Sequence, residues 1–239
     1  MGKFCTKCGK ELVEGKTHKC EAEESKKEVT KKETTNQSNI DFKGAFADCV
    51  AAIKSIFTKP VETISNFVSD NKFISGIMFI VMAALARGLQ VALQLQHTYS
   101  KIKSDYYKPE EPKYFDEFFE AFATDLAKYA AIAFIAYLVV TKVLKGTSTW
   151  KQTLSATGLS LIVVIGATLI NTILFYFDGD LVVYLMGYVS VFSTTLFTIL
   201  LYEGIKSVAN VDKNKLFLAL GSILVGAEIV VDLVQKIFD

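Results

Sequence analysis

The chain reads as an all-α membrane protein, with five transmembrane helices behind a small N-terminal zinc-ribbon module. Three observations predict this. Long apolar blocks fill the sequence after Phe73, whereas residues 1–41 are almost all polar. Three of the four cysteines, together with His18, fall within the first twenty residues. The 51% hydrophobic content, with a mean hydropathy of +0.34, exceeds what 239 residues need to build a soluble core.

A helix rises about 1.5 Å per residue, so roughly 20 apolar residues cross a hydrocarbon layer. Open strands cannot do this, because unpaired backbone groups in lipid cost several kcal/mol each. Five runs meet the length. Phe73–Gln96 is interrupted by Arg87. Leu126–Leu144 carries Lys128 and Lys142 near its ends, where long side chains snorkel to the interface. Thr153–Phe177 and Leu181–Tyr202 carry no charge, and only Asp178-Gly179-Asp180 joins them, which predicts a tight antiparallel hairpin. Leu216–Gln235 contains Glu228 and Asp232.

Basic residues near span ends set orientation. Lys54, Lys59 and Lys72 precede the first span, Lys142, Lys145 and Lys151 follow the second, and Lys206, Lys213 and Lys215 follow the fourth. The opposite side holds the loop from His97 to Asp125, with four lysines against seven acids. This predicts a multi-pass protein of the cell membrane with its N-terminus in the cytoplasm and its C-terminus outside. Thiolate metal ligands also persist best in a reducing compartment, which gives the same orientation independently.

Cys5-Thr6-Lys7-Cys8-Gly9 is a CxxCG turn, in which two thiolates two residues apart grip one metal and the glycine lets the chain curl behind them. His18 and Cys20 follow. Cys5, Cys8, His18 and Cys20 form a Cys3His set suited to tetrahedral zinc, closed to water and therefore structural. The second half, HxC, is one residue shorter than the CxxC of a full ribbon, so both of its ligands need a tight local bend. The rival reading is a disordered tail with loose thiols. With Phe4, Leu12 and Val13 as its main apolar residues, residues 1–20 would fold only with metal. Glu11, Glu14, Glu21, Glu23 and Glu24 offset the lysines, so no nucleic-acid partner is expected.

Residues 21–41 are rich in Glu, Lys, Thr and Ser and bury too little to offset their ordering entropy, which predicts a disordered linker. In residues 42–72, Phe42, Phe46, Cys49, Val50, Ile53, Ile56 and Phe57 recur at helical spacing, and the helix should stop near Lys59-Pro60. Val61, Ile64, Phe67 and Val68 continue the pattern. Such amphipathic helices either lie on the bilayer or pack against the cytoplasmic loops of the bundle. Residues 73–239 form the five-helix domain. An aromatic face of Tyr114, Phe115, Phe118, Phe119 and Phe122 leads into the second span as an interfacial helix.

Arg87, Glu228 and Asp232 form an intramembrane charge cluster, since a bare charge in lipid costs at least a few kcal/mol. With the first and fifth spans running the same way, all three lie roughly 18–24 Å from the cytoplasmic end. One reading pairs Arg87 with Glu228 or Asp232 across a contact between these spans, extended by Gln90 and Gln94 and joined by Asn171. Ala84 with Gly88 and Ser222 with Gly226 would bring the helices close. The others are a proton or solute path and a location at the outer interface.

The order of elements, and Gly146-Thr147-Ser148-Thr149-Trp150-Lys151-Gln152-Thr153 between the second and third spans, resembles the Yip family of five-span membrane proteins over residues 42–239. Residues 3–20 resemble the zinc-ribbon heads of bacterial membrane proteins. The first resemblance implies a noncatalytic role in membrane organisation or trafficking and no active site. No Ser-His-Asp set, HExxH or P-loop stands in the sequence. The expectation is thus a noncatalytic protein whose cytoplasmic head contacts a protein partner, with an oligomer as one form it could take. The alternative is a small-molecule or proton transporter or channel component using the charge cluster. Metal analysis of the purified chain should find one zinc per molecule, and Cys5→Ser with Cys8→Ser should abolish it. A metal-free wild-type protein would refute the ligand set.

Overall fold

The computed structural model describes the paired dipeptides Lys3–Phe4 and Glu11–Leu12 and residues 41–103, 110–177 and 179–238. The chain divides into two units, residues 1–40 and 41–239. In the first, strands β1 (Lys3–Phe4) and β2 (Glu11–Leu12) pair antiparallel, Lys3 opposite Leu12 and Phe4 opposite Glu11.

The second unit is helical. Asp41 caps α1 (Phe42–Ile56), its carboxylate accepting from the Gly44 N–H at 2.9 Å. Pro60, whose missing N–H costs nothing at a helix start, opens α2 (Pro60–Ser69). The apolar positions of α1 split into two faces. Ala45, Cys49, Ala52 and Ile56 are buried, whereas Phe42, Phe46, Val50, Ile53 and Phe57 are exposed. Lys72 reaches Asp48 at 2.9 Å and the Cys49 thiol donates to the Ser75 carbonyl at 3.7 Å, so α1 is tied to the start of the first span. Burial, with the Asp48 carboxylate beside it, pushes the Cys49 thiol up to about 11. It is an inert apolar residue at neutral pH.

Among the described residues, five helices are long and apolar enough to cross a membrane. They are α3 (Phe73–Ile102), α4 (Tyr114–Leu138, with a further π turn over Val139–Val143), α5 with α6 (Trp150–Ser160 and Ile162–Leu174), α7 (Asp180–Ala209) and α8 (Lys213–Phe238). The aromatic segment expected as a separate interfacial helix is the first part of α4, with no break before Leu126. The third span, expected as one run, is interrupted at Leu161, whose N–H bonds to Gly158 O at 3.1 Å and so closes a tighter turn.

Every residue from Thr153 to Ile162 is buried, so α5 is surrounded by protein on all sides. It packs against α2, α3, α4 and α7. A helix in that position needs small side chains and no orphaned polar groups. Its hydroxyls are satisfied by its own carbonyls, with Thr153 donating to Trp150 O, Ser155 to Lys151 O, Thr157 to Thr153 O and Ser160 to Ala156 O at 2.7–3.0 Å. The crossing with α3 is backbone against backbone. A Cβ on Gly158 would lie 2.1 Å from Gly76 O, and one on Gly76 would lie 2.9 Å from Ser155 Cα. At Gly204 of α7, a Cβ would press on Ala156 and Ile64 at 3.0–3.1 Å, which draws α2, α5 and α7 together.

The Gly146–Thr153 loop locks these elements. Lys145 takes a left-handed turn with φ 56°. The Gly146 N–H bonds to Val140 O at 2.8 Å and the Thr147 N–H to Ala209 O at 3.0 Å, pinning the loop to the end of α7. Thr149 and Gln152 then form a reciprocal capping box that starts α5. We call the face that carries α1, α2 and this loop proximal and the opposite face distal.

Gly158→Ala should destabilise the protein by at least about 2 kcal/mol, because neither helix backbone can yield to the added methyl. Gly187→Ala, which faces open space, should be neutral. Thermal unfolding in detergent measures both, and equal midpoints would contradict the crossing.

Candidate functional site

Two of the three charges that the sequence places inside the bilayer, Arg87 and Glu228, gather around α4 in the distal half. On α3, Arg87 lies about 21 Å along the helix from Phe73. Its Nη1 donates to Oε1 of Gln90, one turn on, at 2.7 Å, and Gln90 is buried. On α8, Glu228 accepts from Nζ of Lys128 on α4 at 2.6 Å. Asp232 is exposed and has no ion pair among the described residues.

The expected pairing of Arg87 with Glu228 or Asp232 therefore does not form. Its physical cause is that α4 packs against both α3 and α8. The small residues expected to join α3 to α8 meet α4 instead. A Cβ on Gly88 would strike the Phe118 ring at 2.9 Å, and one on Gly226 would meet Ile135 at 3.2 Å. Lys128, read from sequence as a snorkelling residue, supplies the counter-charge.

Sequence reading also passed over Asp125, assigning it to the end of the outer loop. The structure sets it within α4, where its Oδ2 accepts from the Tyr129 hydroxyl at 3.1 Å. The signal was there, since Asp125, Lys128 and Tyr129 recur at i, i+3 and i+4 on one helix face.

Two cavities meet at this cluster, and both are lined by Arg87, Asp125 and Lys128. The larger, about 310 Å³, lies among α3, α4, α6 and α7 and includes Gln90, Asn171, Ser193 and Thr194. The smaller, about 260 Å³, opens toward Glu117, Glu120, Thr124 and Gln235. Asn171 thus joins the polar face of Arg87 and Gln90.

The hydrogen-bond accounting of the larger cavity is lopsided. Asn171 Nδ2 donates to Ser190 Oγ at 3.0 Å, but its Oδ1 has no partner although the residue is only 8% exposed. The Ser193 hydroxyl donates to Val163 O and the Thr194 hydroxyl to Ser190 O, which leaves both oxygens as acceptors. Thr124, equally buried, has an unpartnered Oγ1 beside the smaller cavity. At the distal end of α3, His97 packs against the rings of Phe175 and Tyr176 at 5.7 and 4.7 Å, and its buried Nε2 is likewise unpartnered.

Cys5, Cys8, His18 and Cys20 lie outside the described residues. Among the described residues no group of His, Cys, Asp and Glu is arranged to hold a metal.

Five long apolar helices, with polar groups turned to an internal pocket, define a multi-pass integral membrane protein. The Yip1 domain family matches residues 54–233, and the chain belongs to that family. No curated protein and no solved structure matches it at a significant level.

The geometry around α4 distinguishes two pairings. Lys128→Glu and Glu228→Lys should each lower the unfolding midpoint, by about 1 kcal/mol in stability, and the double swap should restore it. Arg87→Glu with Glu228→Arg should show no rescue. Rescue of the second pair and not the first would overturn the assignment.

Proposed function

We propose that the chain is a noncatalytic membrane factor in which a cytoplasmic zinc-ribbon head, residues 1–20, serves as an interaction or regulatory module. Residues 21–41 are its linker, residues 42–72 its interfacial helices and residues 73–239 its anchor. Membership of the Yip1 domain family, matched over residues 54–233, supports the membrane-factor part of this reading, for which we infer a role in membrane organisation or trafficking; the head rests on the spacing of Cys5, Cys8, His18 and Cys20. Cys5, Cys8, His18 and Cys20 would hold a structural zinc.

The lysines on the proximal side favour a cytoplasmic N-terminus and an outside C-terminus in the cell membrane. The exposed Phe42, Phe46, Val50, Ile53 and Phe57 support an interfacial helix that meets lipid with one face while its other face grips the bundle. The partners are then the bilayer and a cytoplasmic protein.

The alternative, a small-molecule or proton transporter or channel component using Arg87, Glu228 and Asp232, draws on the distal pocket. Against it, Phe79, Leu159 and Leu201 are buried proximal to that pocket, so a polar solute would meet a packed apolar layer.

Affinity purification of the full chain from its native cells should recover a protein partner that is lost in Cys5→Ser with Cys8→Ser and after zinc chelation. Recovery unchanged by both treatments would defeat the head's role. Proton or solute flux in liposomes that Glu228→Gln abolishes would favour the transporter.

A further inference from the structure

The distal pocket does not end in polar groups. A third cavity, about 310 Å³, shares Lys128, Tyr129, Val164 and Thr194 with the polar one. It continues past Ile132, Phe197, Leu224 and Val225. On each of α4, α7 and α8 these apolar residues lie about one turn or more nearer the proximal face than the polar residues Asp125, Thr194 and Glu228.

α7 and α8 are held together near their linked ends. There the Tyr202 hydroxyl donates to Lys213 O at 3.4 Å and the Tyr202 ring packs edge-on against Phe217. Above that clasp the two helices leave a slot running toward the middle of the bundle. A polar chamber that opens into an apolar slot is amphipathic in the same sense as a lipid.

We propose that these two adjoining cavities form a binding site for one phospholipid of the distal leaflet, with its headgroup in the polar chamber and an acyl chain in the α7–α8 slot. The polar lining also selects the headgroup. Arg87 commits one N–H to Gln90 and presents its remaining donors to a phosphate. Asn171 Oδ1 lacks a donor, Ser193 Oγ and Thr194 Oγ1 can each accept one, and the Asp125 carboxylate, which accepts from Tyr129, has room for a cation. Of the two cations that line the chamber, Lys128 is paired with Glu228 from the adjoining slot and Arg87 stands with Asp125, so the chamber favours a zwitterion over a net anion. The headgroup that joins a phosphate to an N–H-bearing cation is a phosphoethanolamine. A choline headgroup has the charge but no proton to give to Asn171.

Native mass spectrometry of the full-length protein in detergent tests this with phosphatidylethanolamine, phosphatidylcholine and phosphatidylglycerol of identical chains, and with soluble glycerophosphoethanolamine. The ethanolamine lipid should be retained about tenfold better than the other two lipids, the difference expected for a few unmade polar contacts. The soluble analogue should give no adduct at the same concentration. Leu224→Trp, which fills the slot without touching the chamber, should remove the retained lipid, and Arg87→Gln should weaken retention about tenfold. Equal retention of all three lipids would overturn the headgroup assignment. An adduct with the soluble analogue as strong as with the lipid, or wild-type retention in Leu224→Trp, would overturn the acyl slot. The lipid comparison on the wild-type protein stands whether or not a variant folds.

Discussion

The α3 and α5 backbones meet at Gly76 and Gly158, so closely that a Cβ on Gly158 would lie 2.1 Å from Gly76 O, and the rest of the architecture follows from that contact. In lipid there is no hydrophobic force drawing helices together, so association depends on close packing and polar contacts. Two glycines facing each other give the shortest interhelical distance a chain allows. That proximity puts α5 inside a ring of α2, α3, α4 and α7, where nothing larger than a modest side chain fits between backbones. It also explains a sequence that looks wrong for a buried helix. Thr153, Ser155, Thr157 and Ser160 are small enough for the space and return their hydroxyl protons to the turn behind them, so no donor is stranded.

The second constraint is electrostatic and is centred on α4. A charge in hydrocarbon needs a partner or water, and α4 offers both signs, Asp125 and Lys128, one turn apart. Helices on either side direct their charges toward it, Glu228 from α8 and Arg87 from α3. The arrangement keeps polar groups in the distal half and leaves the proximal half to Phe79, Leu159 and Leu201. The bundle is thus divided along its axis into a densely packed floor and a polar upper chamber.

The spans were legible because length and hydropathy alone decide whether a helix can cross a membrane. The family loop was legible too, although its physical role was not. Nothing local in Thr147 says that its amide bonds to Ala209 O at the end of α7, about sixty residues further along the chain. The charge partners were misread for the same kind of reason. Equal depth on parallel spans made Arg87 and Glu228 natural neighbours, but depth does not give the angular position of a helix around the bundle. The small residues Gly88 and Gly226 signalled close approach without naming the helix approached. On α1, periodicity showed one apolar face where there are two, because Ala45 and Ala52 bury as effectively as larger residues without standing out in a hydropathy pattern.

The lengths of the helices are unequal to the membrane in a staggered way. At 30 residues, α3 is about 45 Å long, some 15 Å more than a hydrocarbon layer, and α7 has the same length. The surplus of α3, with the acid-bearing start of α4, projects distally, whereas the surplus of α7, with the Glu203–Lys206 ion pair, projects among the proximal helices. Sliding the protein either way along the membrane normal would drag one of these charged collars into oil. Its immersion depth is therefore locked, and a bilayer of different thickness must deform around the protein rather than let it ride up or down.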